Sequence, residues 1–384
     1  MMNENIHYRP GGQRNDAHQG SLESGRYQRK IRVLHIIAHV EKAGAERQLA
    51  LLAGASAHDH VIAVLKGNEA PSPAFVETFP SLSPLSIYQT VRDLIGKHQI
   101  EIVQLWLPDR ITIPAMLAAR AKGCPIISGD RRRARNHGLG AIRDRLTYLN
   151  HLFADLVVPN YPHILPRLSL RRFLCIPGRT RTIANGIKQV PVAQKYRGRP
   201  DRLLFVGRFV EQKRLGELID LMPALLADTG VSGLDIVGEG PLDSDYRDKI
   251  HRNAIGDHVV FHGRLKDWGT RFLPEQNMLI LPSVSEGMSN TLFEAIAYGF
   301  LPLISHSYEL EEMLKTWPEK PERFDPWDSG SILSAVKKAF ALPPERIEAR
   351  VQAMQKELTQ FSVKKMAASY DSIYELLAAG KLQR

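Results

Sequence analysis

Ser285-Glu286-Gly287-Met288-Ser289-Asn290-Thr291-Leu292-Phe293-Glu294-Ala295-Ile296-Ala297-Tyr298-Gly299 is the stretch whose reading decides the fold. Just before it, Met278-Leu279-Ile280-Leu281 is a short apolar run closed by Pro282, the pattern of a buried strand. Within it, Leu292, Phe293, Ile296 and Ala297 recur at helical spacing. Ser289 or Asn290 suits the N-cap, and Gly299 is placed to stop the helix. The whole reads as a strand, a tight turn and an open helix end. Such an end offers unpaired N–H groups and a partial positive charge to phosphate or sugar oxygens. Gly287 lets a ligand approach the backbone closely. Glu286 falls in the turn, and Glu294 lies one helical turn inside, below Asn290 at i, i+4. Two carboxylates beside an anion-binding helix end suit neutral hydroxyls, such as those of a ribose and a sugar, better than the anion itself.

On either side, strands and helices alternate. Toward the N-terminus, strands are expected at Ile31–Ile37, Val61–Leu65, Ile102–Trp106, Pro125–Ser128 and Ala154–Pro159. Helices are expected from about Ala45 to Ala53, Ser86 to Lys97 and Ile113 to Ala121. This is the signature of parallel βαβ units, whose ligand sites gather at the carboxyl ends of the strands. A second series starts at Leu203–Val206 and runs into Gly207-Arg208-Phe209-Val210-Glu211-Gln212-Lys213, which sets two cations on such a loop. Leu234–Val237 leads into the turn Gly238-Glu239-Gly240-Pro241, and Val259–Gly263 is a further strand. Asp243-Ser244-Asp245 reads as a helix start rather than a metal-binding pair. The last helix, Val363 to about Ala378, puts Met366, Ala367, Tyr370, Ile373, Tyr374 and Leu377 along one face, where the tyrosines pack rather than react.

A chain of 384 residues has room for two domains, each with its own core. Its two cysteines, Cys124 and Cys175, imply no disulfide framework, and a reducing cytosol is the simplest compartment. No apolar run approaches the roughly 18 residues that span a bilayer, and no apolar leader opens the chain. Residues 1–28 are polar and aperiodic and read as a disordered tail. The net charge of +10 is concentrated: Gly129 to Arg202 holds 16 Lys or Arg against four Asp and no Glu. A field of that size attracts anionic partners. Nucleic acid lacks support, since neither a recognition motif nor interleaved aromatics is present. An anionic membrane surface or an acidic lipid-linked acceptor fits better, and a plain solvated basic face fits as well. The cluster's densest part, Arg131, Arg132, Arg133, Arg135 and His137, follows the fourth strand of the first series.

Several of these stretches together resemble one family. Glu286-x7-Glu294, followed by Ala295-x-Ala297-x-Gly299 and Pro302-Leu303-Ile304-Ser305, is similar to the E-x7-E motif of retaining glycosyltransferases with the GT-B fold. The group concerned is family 4, the "glycosyl transferases group 1" type, which includes bacterial polysaccharide and lipopolysaccharide sugar transferases. Gly207-Arg208-x4-Lys213 resembles its Gly-Arg-x4-Lys segment, Ala43-Gly44-Ala45-Glu46-Arg47 its Gly-Gly-Ala-Glu-Arg segment, and Asn185-Gly186 the pair that closes its first domain.

The resemblance implies two Rossmann-like domains facing across a cleft, with the last helix crossing back to the first. The boundaries would be 29–187 for the acceptor domain, 188–200 for a linker, 201–361 for the donor domain and 362–384 for the returning helix. It also implies transfer of a hexose-type sugar from a UDP- or GDP-sugar to a glycan or lipid-linked acceptor. Glu286 would contact the transferred sugar and Glu294 the ribose. Arg208 and Lys213 would hold the departing diphosphate, so that no metal and no other cofactor is required. Gly44, Gly207, Gly287, Met288, Ser289, Asn290 and Thr291 would line the substrate site. Many relatives carry a histidine directly after the strand that ends here at Ser128, and this chain does not. A nucleotide-sugar epimerase on the same fold and a non-catalytic sugar-nucleotide or membrane binder are the rival readings.

Overall fold

The computed structural model describes residues 29–37, 44–65, 75–131, 149–161, 178–188 and 198–381. The tail to residue 28 and most of the 188–200 linker fall outside them.

Among the described residues, twelve strands form two separate six-stranded sheets, each parallel throughout. The first contains β1 (Arg32–Ile37), β2 (Asp59–Val64), β3 (Phe75–Thr78), β4 (Ile102–Leu105), β5 (Ile126–Asp130) and β6 (Leu156–Pro159). The second contains β7 (Arg202–Val206), β8 (Gly233–Val237), β9 (Val259–Gly263), β10 (Asn277–Leu281), β11 (Pro302–Ser305) and β12 (Glu322–Phe324). The orders are β3-β2-β1-β4-β5-β6 and β12-β11-β10-β7-β8-β9. Counted within its own half, each runs 3-2-1-4-5-6, the doubly wound Rossmann order. The chain reverses direction across the sheet between β1 and β4 in one half, and between β7 and β10 in the other. Crevices open at those switch points, at the strands' carboxyl ends.

The helices among the described residues supply the crossovers. They are α1 (Gly44–Ala55), α2 (Pro84–Lys97), α3 (Ile113–Ala121), α4 (Leu149–Phe153), α5 (Leu215–Asp228) and α6 (Asp243–Arg252). Then come α7 (Asn290–Tyr298), α8 (Tyr308–Met313), α9 (Ser329–Phe340), α10 (Pro344–Glu357) and α11 (Val363–Ala378). The strands expected from sequence are present. β3 and β12, short strands at one edge of each sheet, have no alternation long enough to announce them.

The apolar runs are buried on both faces, as parallel strands covered by helices require. Leu203, Leu204, Phe205, Leu279, Ile280 and Leu303 form the centre of the second core. The first sheet has one core on each face. On one face Val33, Ile37, Leu49, Leu52, Ile127 and Val158 pack against Met366, Ala367, Tyr370, Ile373, Tyr374 and Leu377 of α11. The C-terminal helix therefore does return to the first half, through the face its periodicity marked. The end of the first half meets the segment that returns from the second: Ile187 N donates to Phe361 O at 2.7 Å, and Ile187 bridges Ser362.

Beneath α11 lies a seam of buried polar side chains. Trp106 Nε1, which can only donate, meets His35 Nδ1 at 2.9 Å, and His35 Nε2 lies 2.7 Å from His60 Nδ1. The indole therefore fixes the tautomers: His35 accepts at Nδ1 and donates from Nε2 to His60. Both rings have to be neutral for this chain to close. Burial, with the neighbouring His60 adding to it, holds His35 well below the ordinary imidazole value. Burial lowers His60 to about 4, with Asp371 and Asp59 opposing the shift and His58 assisting it. Tyr374 donates to Gln104 at 2.6 Å in the same layer.

Candidate active site

The loop after β7 is stitched to its neighbours on both sides. Gly207 N donates to Val237 O and Phe209 N to Glu239 O, each at 3.0 Å, which ties it to the turn after β8. A side chain on Gly238, whose φ is +141°, would run into the Gly207 carbonyl, so the close approach of the two loops requires glycine there. Phe209 anchors the loop from below, fully buried with its ring 5.5 Å from Tyr246 and 6.0 Å from Phe261. On the other side Val284 N donates to Gln212 O at 3.1 Å, and Gln212 Nε2 to Ser285 O at 2.6 Å. These bonds bring the loops after β7 and β10 together at the switch point of the second sheet.

Two of the singled-out residues meet there. Lys213 Nζ lies 2.5 Å from Glu286 Oε1, with both side chains mostly covered. In a partly buried pair each charge depends on its partner, since losing one strands the other in a poorly solvated place. Arg208 is exposed at the head of the same loop. Ser289 proves to be the N-cap of α7: its φ and ψ are extended, and Oγ accepts from Leu292 N. Gly299 ends that helix in the left-handed conformation expected of it, at φ +95°. A Cβ on Gly287 would meet nothing within 4 Å. The fold itself does not demand glycine at that position, and the space before its backbone is open.

Glu294 sits one turn into α7 and is 9% exposed. One of its oxygens pairs with Arg47 Nη1 of α1 at 2.7 Å; the other accepts from Trp268 Nε1 at 3.2 Å. Burial raises its pKa above the ordinary carboxylate value, against the pull of Arg47 and the indole and with a small push from Asp267. Gly44, the first residue of α1, faces Asn290: a Cβ on it would come 2.6 Å from Asn290 Nδ2. Asn290 Oδ1 accepts from Asn185 Nδ2 at 2.8 Å, and Met288 is buried with its sulfur 3.0 Å from Asn185 N. Thr291 follows on the first turn of α7. The first half and the crossing segment thus close around the start of α7.

Arg131, grouped in the sequence with a surface cluster, turns its guanidinium inward. It stacks 4.2 Å from the centre of the Trp106 ring and donates to Asn185 Oδ1 at 2.6 Å and to Tyr370 Oη at 2.9 Å. Arg132, Arg133, Arg135 and His137 lie outside the described residues. The carboxyl end of β5 carries Asp130, with His151 Nε2 3.9 Å from its carboxylate and His151 Nδ1 2.9 Å from Ser128 Oγ.

Sequence reading missed the Arg47–Glu294 pair, the Trp268 indole and the Asn185–Asn290 bond. Arg47 was within a stretch already noted, and its reach across to α7 needed three dimensions. No local pattern marked Trp268. Among the described residues no cluster of acids, histidines or cysteines has the arrangement of a metal site.

Two Rossmann-ordered sheets and a C-terminal helix that returns to the first of them make up the GT-B architecture. Comparison with known proteins agrees. Residues 200–340 match the family described as "Glycosyl transferases group 1". The chain is 31% identical over 116 residues to the amylovoran biosynthesis glycosyltransferase AmsK of Erwinia amylovora, which is 28% of each protein. It is 22% identical over 204 residues to the capsular polysaccharide biosynthesis glycosyltransferase CapH of Staphylococcus aureus, covering 48% of this chain and 54% of that one. The matches thus span between about a quarter and a half of these curated relatives. The crystal structure of HepE from Anabaena with UDP and glucose superposes over 90% of this chain and 99% of its own. Its TM-score is 0.72 and its sequence identity 13%, a likeness of fold.

Proposed function

We propose that this protein is a glycosyltransferase that moves a hexose-type sugar from a nucleotide-diphosphate sugar, UDP- or GDP-linked, to a glycan or lipid-linked acceptor in surface polysaccharide assembly. The observation that carries the reading is the meeting of Lys213, from the loop after β7, with the segment after β10 that holds Glu286, Asn290 and Glu294, at the second sheet's switch point. The relatives' names, and the UDP and glucose in the HepE structure, point the same way.

In this reading the nucleotide lies over the second sheet with its ribose on Glu294. Its diphosphate lies between the Arg208–Lys213 loop and the N-terminal turn of α7. As the glycosidic bond breaks, negative charge grows on the departing diphosphate. Arg208 can meet it with two N–H groups and Lys213 as a point charge. Glu286, which holds Lys213 in the donor-free protein, then accepts from hydroxyls of the transferred sugar. Retention of configuration is carried by the family resemblance. The two cations take the electrostatic role that a divalent ion has in other sugar transferases, so EDTA is expected to leave the rate unchanged. No helix among the described residues is long and apolar enough to cross a membrane. The basic Gly129–Arg202 stretch fits a peripheral position on an anionic inner membrane face, from the cytoplasmic side.

The test is incubation with a panel of UDP- and GDP-sugars, with and without lipid extract or oligosaccharide as acceptor, following released nucleotide diphosphate. Acceptor-dependent release supports transfer. Interconversion of the sugar nucleotide without release would make the protein an epimerase, and binding with neither product would make it a non-catalytic binder.

A further inference from the structure

The first turns of α1 and α7 abut as a two-rung ladder. Gly44 faces Asn290 on the lower rung; one turn further along each helix, Arg47 meets Glu294 at 2.7 Å. Arg47 is thus a cation from the first half on a carboxylate that belongs to the second. Trp268 holds the other carboxylate oxygen from a third element. Each oxygen of an ionised carboxylate has two lone-pair directions, so one remains on each oxygen after these two bonds. They are a pair of acceptors at fixed spacing.

We infer that Arg47, although part of the first half, is a positioning residue of the donor site that aims the Glu294 carboxylate at a vicinal diol such as that of a ribose. The inference rests on the donor-site reading above. Two further facts support it. A Cβ on Gly44 would come 2.6 Å from Asn290 Nδ2, so the start of α1 lies close against the start of α7 and Arg47 extends from there. Glu294 also needs help to remain a pure acceptor. Burial favours its protonated form, which would donate a hydrogen where the diol also has to donate, and Asp267 pushes the same way. Tyr298, one turn further along α7, is held neutral by its own burial and leaves Arg47 as the compensating charge facing the carboxylate. Closing the two halves then completes the ribose site, so nucleotide binding and closure favour each other.

The test is calorimetric titration of UDP, GDP and their 2′,3′-dideoxy analogues into wild type, Arg47→Ala and Arg47→Lys between pH 5.5 and 8. Wild type is expected to bind one of the two ribonucleotides, and Arg47→Ala to bind it about tenfold more weakly or worse at pH 7.5, the size of one lost charge-assisted contact. Without Arg47 the carboxyl protonates at higher pH, so the deficit should widen as pH falls. Arg47→Lys should recover part of it. With the dideoxy analogue the difference between wild type and Arg47→Ala should vanish. A deficit equal for ribo and dideoxy nucleotides and flat with pH would overturn the inference and leave Arg47 a purely structural ion pair. Tighter binding by Arg47→Ala would overturn it too, since Arg47 would then be a competitor of the diol. Failure of wild type to bind any nucleotide overturns the donor-site reading itself, and this inference with it.

Discussion

The two sheets share one strand order, and a polar group on each is used in opposite ways: a seam under the first and the switch point of the second. Under α11, the first sheet encloses His35, His60, Trp106, Gln104 and Tyr374, whose donors and acceptors are largely spent on one another. At the second sheet's switch point, Lys213, Glu286 and Glu294 stand on loop and helix ends over the apolar core, with hydrogen-bonding capacity to spare. Polar groups closed on each other hold a structure together. Those held in place from behind and left open in front are set for a ligand. The contrast predicts that changes in the second group act on turnover, and changes in the first on stability.

Lys213→Ala and Arg208→Ala should show the largest effect. Each removes a charge-assisted contact worth on the order of 1.5–3 kcal/mol with the departing diphosphate, so transfer should slow by about tenfold or more. Melting of the donor-free protein should change little for Arg208→Ala, whose side chain is exposed. Unchanged rates in both variants would remove the site from the second sheet.

Glu294→Gln sharpens the contrast, because it separates binding from stability within one residue. Its carboxyl has a raised pKa in the folded protein, chiefly from burial. The folded state therefore holds the proton to higher pH than the unfolded state does, and stability falls as pH rises through the folded value. At neutral pH the ionised carboxylate is a net cost, offset only in part by Arg47. The glutamine variant should melt slightly higher than wild type without ligand and lose the stabilisation that UDP or GDP confers. A lower melting temperature would mean that the Arg47 pair outweighs the desolvation.

Much of this was legible in the sequence, for identifiable reasons. Parallel strands buried on both faces are continuous apolar runs, so Met278–Leu281 and Leu203–Val206 announced themselves. Caps are local, so Ser289 and Gly299 could be read from their neighbours. The edge strands β3 and β12 are three or four residues long and carry no such run. At the site, spacing brought out Arg208, Lys213, Glu286 and Glu294 because each lies in a segment with a local signature. Arg47, Asn185 and Trp268 act through side chains that meet others more than a hundred residues away, or in a turn with no pattern. For Arg131, position beside other arginines suggested a surface role. The Trp106 face and the Tyr370 hydroxyl, from two other elements, draw it inward.

The smallest effect at neutral pH, and the sharpest check on the first sheet, comes from His60→Asn. Asparagine can still accept from His35 Nε2 through its amide oxygen, but it cannot titrate. In wild type the lowered values of His35 and His60 mean that the folded protein binds fewer protons than the unfolded chain as pH falls below the ordinary imidazole value of 6.5. The seam's contribution is thus fully present above that value and is lost as pH drops toward about 4 for His60. Denaturant titrations between pH 7 and 4.5 should show a stability slope that His60→Asn reduces by up to one proton's worth, while turnover at pH 7 stays near wild type. An unaltered slope would mean that the imidazole chain does not control acid unfolding. A large loss of turnover would break the division between a first sheet whose polar seam serves stability and a second that is poised, because it would give the seam a part in the reaction.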